Sequence, residues 1–411
     1  MVLGNGKDST QVKIMLLILI FILYQIFGFS FESIIATGKD DEIGFSTIPN
    51  LFERVSRSRV VSDLPIPEGF TLISAQSAPY YDEAGGVLHV WYGLRASGRG
   101  EEGNMILYTN TTDLHSWSDP VVVISLPSDG IRDPTIFVEG ENIYLFTQVY
   151  NGTTRRYHPI RLYKTSRRAS FWDPAQYQYL GVAVDLGSPG EFDDEWVASF
   201  CLMKRDGTYY GAYEAKDSYG RYSIGRTFTN NIENIPYIKD GQLLDKAGRV
   251  VRNPLGPDQA IAPDTFANSE TLYIHYDAEV GLGESWRARY LQGDYPRNSM
   301  ALSEEDLKPT DPYRQHNNIA HIGFLDGRYT FLMQSGDTPA DWRLRLYMEP
   351  PPSVSGSGEI VRLEKVHSSS GTFQYTKLIL PAAMIISGCW IIKRRIRRQT
   401  RIHYLKQNPV K

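Results

Sequence analysis

One block is written five times between residues 77 and 335. A small or polar pair leads into a strand-like run, a short turn follows, and a second run rich in Tyr, Trp and Phe closes it. The copies are SAPYYDEAGGVLHVWYG from Ser77, IRDPTIFVEGENIYLFTQ from Ile131, VASFCLMKRDGTYYGAYE from Val197, IAPDTFANSETLYIHYD from Ile261 and IAHIGFLDGRYTFLMQS from Ile319. Their turns are rich in Gly, Asp, Asn and Glu, the residues that tolerate tight backbone reversals. A single such hairpin leaves an apolar sheet face open to water, so the copies must bury one another.

A repeat of about 50 residues or more, with some four short strands in each, is the signature of a propeller. The expected fold is therefore all-β, a five-bladed β-propeller over residues 62–350. The first strand of each blade lines the axis, and the residues leading into it converge on one mouth. Segments between the blocks share a second pattern of strand, polar turn, Trp, Asp-Pro and strand, in TDLHSWSDP at 112–120 and SRRASFWDP at 166–174. Trp117 and Trp172 in those segments are expected to pack between blades.

The ends of the chain read differently. Residues 14–31 form an apolar run without a charge, long enough to cross a bilayer as a helix. A cleaved signal peptide is the rival reading, with a shorter apolar core ending in small residues. Residues 378–392 form a second apolar run, followed by KRRIRRQTR. A basic block of that kind belongs on the cytoplasmic side of a membrane helix. The expected order is a membrane anchor at 12–31, a linker at 32–61, the propeller, a linker at 351–376, a membrane helix at 377–393 and a basic cytoplasmic tail at 394–411. The propeller then faces outward from the cell membrane, with both termini cytoplasmic. Sequons at Asn110 and Asn151 would need exposed loops to be used. A formal net charge of −4 gives no electrostatic case for binding nucleic acid. Cys201 and Cys389 are the only cysteines, and no disulfide between them is expected because Cys389 lies in the second apolar run.

The layout resembles the five-bladed propeller glycoside hydrolases: the invertase and fructosidase, levansucrase, and arabinanase and xylosidase families. The resemblance rests on RDPTIF at 132–137, TDLHSW at 112–117, APDTF at 262–266, and WVASFCLMKRDGTYYGAYEA at 196–215 followed by YSIGRTF at 222–228. It implies carboxylates from the first three blades at the axial mouth. One acts as nucleophile or base, one as proton donor, and one holds sugar hydroxyls beside a positively charged transition state. Only the last of these carries over directly, as Asp133, with Arg132 beside it to orient it. The family's first-blade acid falls on Ala78 and its third-blade acid on Val197, neither of which moves a proton.

Two further carboxylates are candidates for the missing acids: Glu195, in the acidic run EFDDEW before the third block, and Asp264 in the fourth. Asp82 and Asp63 are other first-blade candidates, although YYDEAGG also reads as a hairpin turn. Asp133 itself has a structural reading, because Asp-Pro starts turns. Trp196, Tyr80 and His321 are candidate sugar contacts, with Tyr81, Trp91 and Trp286 as further aromatics; a core role is the alternative reading for the Tyr and Trp residues. The eight histidines show no metal-ligand spacing. No phosphate-cradling glycine loop or nucleophile elbow occurs, so neither a metal nor a cofactor is expected. Two functions stay open: hydrolysis of glycans or oligosaccharides, and carbohydrate binding or adhesion without turnover.

Overall fold

The computed structural model describes residues 51–351, apart from 73–75, 246, 252–260, 268–271, 281–284, 294–300, 303–305 and 339–340. Helix α1 (Leu51–Arg57) opens this part and buries Leu51 and Val55. Strand β1 (Arg59–Asp63) follows. The first sheet holds β2 (Phe70–Thr71), β3 (Ser77–Asp82), β4 (Val87–Ala96), β5 (Asn104–Thr111) and β6 (Val121–Ile124). The second holds β7 (Gly130–Glu139), β8 (Asn142–Asn151), β9 (Arg156–Ser166) and β10 (Gln178–Val184). The third holds β11 (Trp196–Arg205), β12 (Thr208–Lys216), β13 (Tyr222–Thr229) and β14 (Ile238–Gln242). The fourth holds β15 (Ile261–Ala267), β16 (Leu272–Val280), β17 (Ser285–Gly293), β18 (Ala301–Leu302), β19 (Gln315–Leu325), β20 (Arg328–Gly336) and β21 (Arg343–Met348), with β1 at its edge.

The fold is an all-β propeller, but of four sheets rather than five. The fourth and fifth repeats share one eight-stranded sheet because β17 and β19 pair in parallel at Arg287↔His316. The leading strands β3, β7, β11, β15 and β19 still neighbour one another in that order, and β19 returns to β3. Hairpin turns fall where the blocks place them. Asp206-Gly207 and Asp326-Gly327 each take positive φ at both residues (50° and 77°; 50° and 74°), the geometry that Asp-Gly hairpins require.

Residues 51–61, expected as linker, instead form α1 and most of β1. Strand β1 pairs antiparallel with β21, the last strand of the described chain, through Arg59↔Met348 and Asp63↔Arg345. This pairing joins the beginning of the described chain to its end and covers an otherwise open edge.

Apolar clusters fill the spaces between sheets. Phe146 of the second sheet meets Phe200 of the third with ring centroids 4.6 Å apart. Trp91 of the first sheet lies fully buried against Phe171, 5.1 Å away, and donates to the Tyr177 hydroxyl at 2.7 Å. Trp117 packs as expected and donates to Ser62 Oγ at 3.1 Å. Trp172 does not: it is 58% exposed. Asn110 lies within β5 rather than on a loop, and its amide donates to the Tyr108 hydroxyl. Cys201 is buried, and its thiol donates to the Ala212 carbonyl oxygen at 3.7 Å. Among the described residues no helix is long and apolar enough to cross a membrane; both expected spans lie outside those residues.

Candidate active site

Three leading strands carry the same irregularity close to their start. The ladder between β7 and β8 skips from Arg132 to Thr135, that between β11 and β12 from Ala198 to Phe200, and that between β19 and β20 from Asn317 to Ala320. The skipped residues Asp133, Ser199 and Asn318 take positive φ of 51°, 33° and 51°. Asp and Asn visit that region more readily than other residues with a Cβ. Bulges of this kind re-aim side chains next to active sites. Strand β15 skips from Pro263 to Phe266, which puts Asp264 at the matching register position. The side chain of Asp264 lies outside the described residues, as does that of Trp286.

Opposite the bulges stand buried polar residues: Gln148 pairs with Arg132, Glu214 with Ala198 and Gln334 with Asn317. Hydrogen bonds link one repeat to the next. The Gln76 amide N–H donates to Asp133 Oδ1 at 3.0 Å, and the Ser199 N–H donates to Gln148 Oε1 at 2.9 Å.

Among the described side chains, Asp133 and Glu214 are the carboxyl groups of this ring, 4% and 5% exposed. The pKa of Asp133 is raised: burial pushes it up by more than the Arg132 guanidinium, 2.9 Å from Oδ2, and the Gln76 N–H pull it down. Burial also raises Glu214, and the neighbouring Asp133 charge adds to the effect; Arg132, Lys216 and Ser199 oppose it. The result is a carboxyl group pushed up to about 8.

Arg132 is itself held from behind. Glu101 Oε2 stands 3.6 Å from Arg132 Nη1, accepts from the Tyr157 hydroxyl at 2.6 Å and accepts from Asn104 Nδ2 at 2.8 Å. Arg95 closes on the other Glu101 oxygen. The short 3-10 turn Glu101–Gly103 carries Glu101 against β7. Only glycine fits at residue 130, since a Cβ there would lie 1.9 Å from the Glu101 carbonyl oxygen.

An aromatic wall continues from this cluster. Tyr157 lies under Arg132, with the guanidinium carbon 5.5 Å from the ring centroid. Trp196 packs on Tyr157 at 4.3 Å, and Tyr222 lies 6.1 Å from Trp196. Lys216 pairs across the sheet with both Trp196 and Tyr222, on the same face as Glu214 two residues away.

Of the residues singled out from sequence, Asp133, Arg132 and Trp196 therefore belong to this cluster. Glu195 is partly exposed and forms an ion pair with the exposed Arg156 at 3.0 Å. Its neighbours hold the loop and sheet together. Asp193 accepts from Tyr213 and Lys239, and Asp194 accepts from the N–H groups of Gly190 and Ser218. Tyr80 is core rather than mouth, stacked on His89 and accepting from Arg167 Nε at 2.7 Å. His321 lies beyond the bulge, buried, with Nδ1 bonded to the Tyr329 hydroxyl. Ala78 and Val197 are buried at 2% and 0% exposure. Asp82 caps its own turn, accepting from the Ala84 N–H, and Asp63 pairs with Arg345.

Sequence reasoning missed Glu214, Glu101, Tyr157, Lys216 and Tyr222. For Glu214 a signal exists. It ends the third repeat block, where Gln148 ends the second and Gln334 falls near the end of the fifth. A polar column closing an aromatic, buried strand needs partners, and here it finds them around the axis. Among the described residues no group of three His, Cys, Asp or Glu side chains is arranged to hold a metal ion.

No family model matches this sequence, and no curated protein matches it. Solved structures do. A thermostable family-43 glycoside hydrolase shares 11% identity over 71% of this chain and 96% of its own, with a TM-score of 0.50. An α-L-arabinofuranosidase from Lactobacillus brevis shares 13% over 68% and 91%, with a TM-score of 0.49. An endo-arabinase from Bacteroides thetaiotaomicron shares 10% over 70% and 97%, also at 0.49. At such identities the likeness of the first of these is one of fold.

Proposed function

We propose that the chain is a glycoside hydrolase acting on glycans or oligosaccharides at this mouth. Glu214 is the proton donor to the departing glycosidic oxygen. Asp133 is the carboxylate that faces the positive charge developing on the sugar ring. The observation that carries this reading is a pair of buried carboxyl groups from different sheets in unlike settings. Asp133 is ion-paired to a guanidinium, whereas Glu214 is held as the neutral acid until about pH 8. Burial raises both groups, and of the two only Asp133 touches a guanidinium that favours its carboxylate form, a contrast that acid-assisted glycosidic cleavage can use. Asp264, at the matching bulge position of β15, is the candidate for the base or nucleophile. The partly exposed Trp196 and Tyr222 rings offer apolar faces to the C–H side of a sugar, with Tyr157 packed behind Trp196.

A second reading, a carbohydrate-binding propeller without turnover, is favoured by Ala78 and Val197. Both stand where the resembling families carry acids, and both are core residues here. Incubation of the full chain with a panel of plant and microbial oligosaccharides, followed by detection of new reducing ends, separates the two. Hydrolysis that is lost in Glu214→Gln while binding persists supports the enzyme. Binding with no turnover at any pH from about 4 to 8, the range set by ordinary and raised carboxyl pKa values, supports the second reading. We place the propeller outside the cell, anchored at the membrane; support for this comes from the apolar runs at 14–31 and 378–392 and the basic block after the latter.

A further inference from the structure

We propose that the mouth is built for an anionic glycan, with Lys216 as the residue that recognises a carboxylate or sulfate on the sugar. The inference rests on the carbohydrate reading above and narrows its substrate class. It starts from how the cations of this region are matched. Arg132 faces Asp133 and Glu101, Arg95 faces Glu101, and Arg156 faces Glu195. Lys216 alone of these four has no acidic ion-pair partner within 4 Å among the described residues.

What surrounds Lys216 instead is aromatic. Its ammonium lies 5.4 Å from the Trp196 ring centroid and 5.2 Å from that of Tyr222. Such contacts fix the position of a cation without neutralising it, and they leave its N–H donors available. Glu214 lies two residues away on the same face, and burial there favours the neutral acid, which supplies no counter-charge. A half-buried ammonium between two rings is thus a fixed donor beside a surface suited to a sugar face. A neutral sugar hydroxyl would accept a hydrogen bond from the ammonium. A carboxylate or sulfate would accept one in which both partners are charged, which adds direct ionic attraction in a partly desolvated site. A bound anion would also offset the positive charge that now lies close to the proton donor.

The test uses immobilised oligogalacturonate, its fully methyl-esterified counterpart and a sulfated galactan oligosaccharide beside its desulfated form, each titrated with the full chain. The esterified and desulfated probes keep the sugar and remove the charge. Tighter binding of either charged member by about tenfold, equivalent to about 1.4 kcal/mol, is the expected result. Which pair shows the preference distinguishes carboxylate from sulfate. Lys216→Met should erase the preference and Lys216→Arg should keep it, with thermal midpoints recorded for both. If Lys216→Met does not fold, the wild-type comparison of charged against uncharged probes still decides. Equal binding within both pairs overturns the anionic inference and leaves the carbohydrate reading standing. A preference that survives Lys216→Met in a folded protein overturns the assignment to Lys216. Failure of all four probes to bind overturns the inference, and failure of a wider neutral panel as well would remove the carbohydrate reading with it.

Discussion

Asp133 and Glu214 belong to different sheets, yet the charge of Asp133 is one of the forces that keep the proton on Glu214. Burial does most of this work, and a second negative charge in the same low-dielectric space adds to it. The coupling fixes a pH profile. Activity should fall as pH rises through about 8, where Glu214 loses its proton. In Glu214→Gln the loss should be about 10²–10⁴-fold in kcat, the usual worth of a positioned general acid. The pH dependence of kcat/KM checks both. An alkaline limb unchanged in a residually active Glu214→Gln variant would assign the proton to another group.

The same shift reaches stability. Glu214 is raised from an ordinary 4.5 to about 8, so between those values the unfolded chain releases a proton that the folded chain keeps. Its contribution is fully present below about pH 4.5 and is lost as pH climbs through 8, at up to about 1.4 kcal/mol per pH unit. Urea unfolding at several pH values across this window should show that slope in the wild type. The slope should be flatter in Glu214→Gln.

Asp133→Asn tests the other member of the pair. Asparagine tolerates the positive φ of 51° at this position, so the bulge should survive. The Gln76 N–H keeps an acceptor, but Arg132 loses a charged partner at 2.9 Å. Hydrolysis should drop by at least about 10²-fold. The alkaline limb should also move to lower pH, because one cause of the raised Glu214 pKa is gone. A large activity loss with no movement of that limb would place Asp133 away from Glu214 in the working enzyme.

The repeat was legible because its physical basis is local. Asp-Gly turns, alternating burial and aromatic second strands are readable within about 20 residues, and Asp133 stands out next to Arg132 and Pro134. The sheet count was not, since it depends on one parallel pairing, Arg287↔His316, between strands of different repeats. The partners of Glu195 were hidden for a similar reason. The run Glu191 to Glu195 is conspicuous in composition, but backbone N–H groups, Lys239 and Arg156 use its acids. Glu214 is inconspicuous by composition and becomes a site residue only because the ladder sets it opposite Ala198, beside a bulge. The role of β1 was hidden for the same reason. Its partner β21 lies near the other end of the described chain.

Glu101 should matter through Arg132 rather than by touching substrate. Glu101→Gln keeps an acceptor for the Tyr157 hydroxyl but removes the charge that Arg95 and Arg132 share. A destabilisation of about 1.5–3 kcal/mol is expected, the range for hydrogen bonds to charged groups, against about 1 kcal/mol for Tyr157→Phe. Equal urea midpoints for the two variants would show that the Glu101 charge contributes nothing beyond its hydrogen bonds.

Helix α1 offers a test of the closure. Val55 is fully buried in a cluster with Leu307, Tyr329, Phe331 and Tyr347, whereas Phe52 on the same helix is 36% exposed. Val55→Ala removes two methyl groups from a packed site and should cost about 2 kcal/mol. Phe52→Ala should stay within about 0.5 kcal/mol of wild type. Thermal or urea unfolding of the two variants compares them directly. A reversed order would mean that α1 packs by its other face.

Gly225 marks the tightest point of the third sheet. A Cβ there would stand 2.2 Å from the Tyr213 ring, far inside contact distance. The ring has no easy way to yield, because its hydroxyl donates to Asp193 at 2.7 Å and its face packs in the core between the second and third sheets. Gly225→Ala should therefore cost about 1–3 kcal/mol or more by overpacking. Gly207→Ala is the contrast. A Cβ meets nothing within 4 Å there, and only the positive φ of 77° opposes it, so its cost is one of backbone strain alone. The two variants should also differ in activity. Strand β13 pairs Ile224 with Glu214 and Tyr222 with Lys216, so displacement at Gly225 moves both groups at the mouth. Gly207 lies in the turn at the far end of β11 and should leave the remaining hydrolysis unchanged. Equal loss of activity in both variants would break the link drawn here between the packing of the third sheet and the placement of its proton donor.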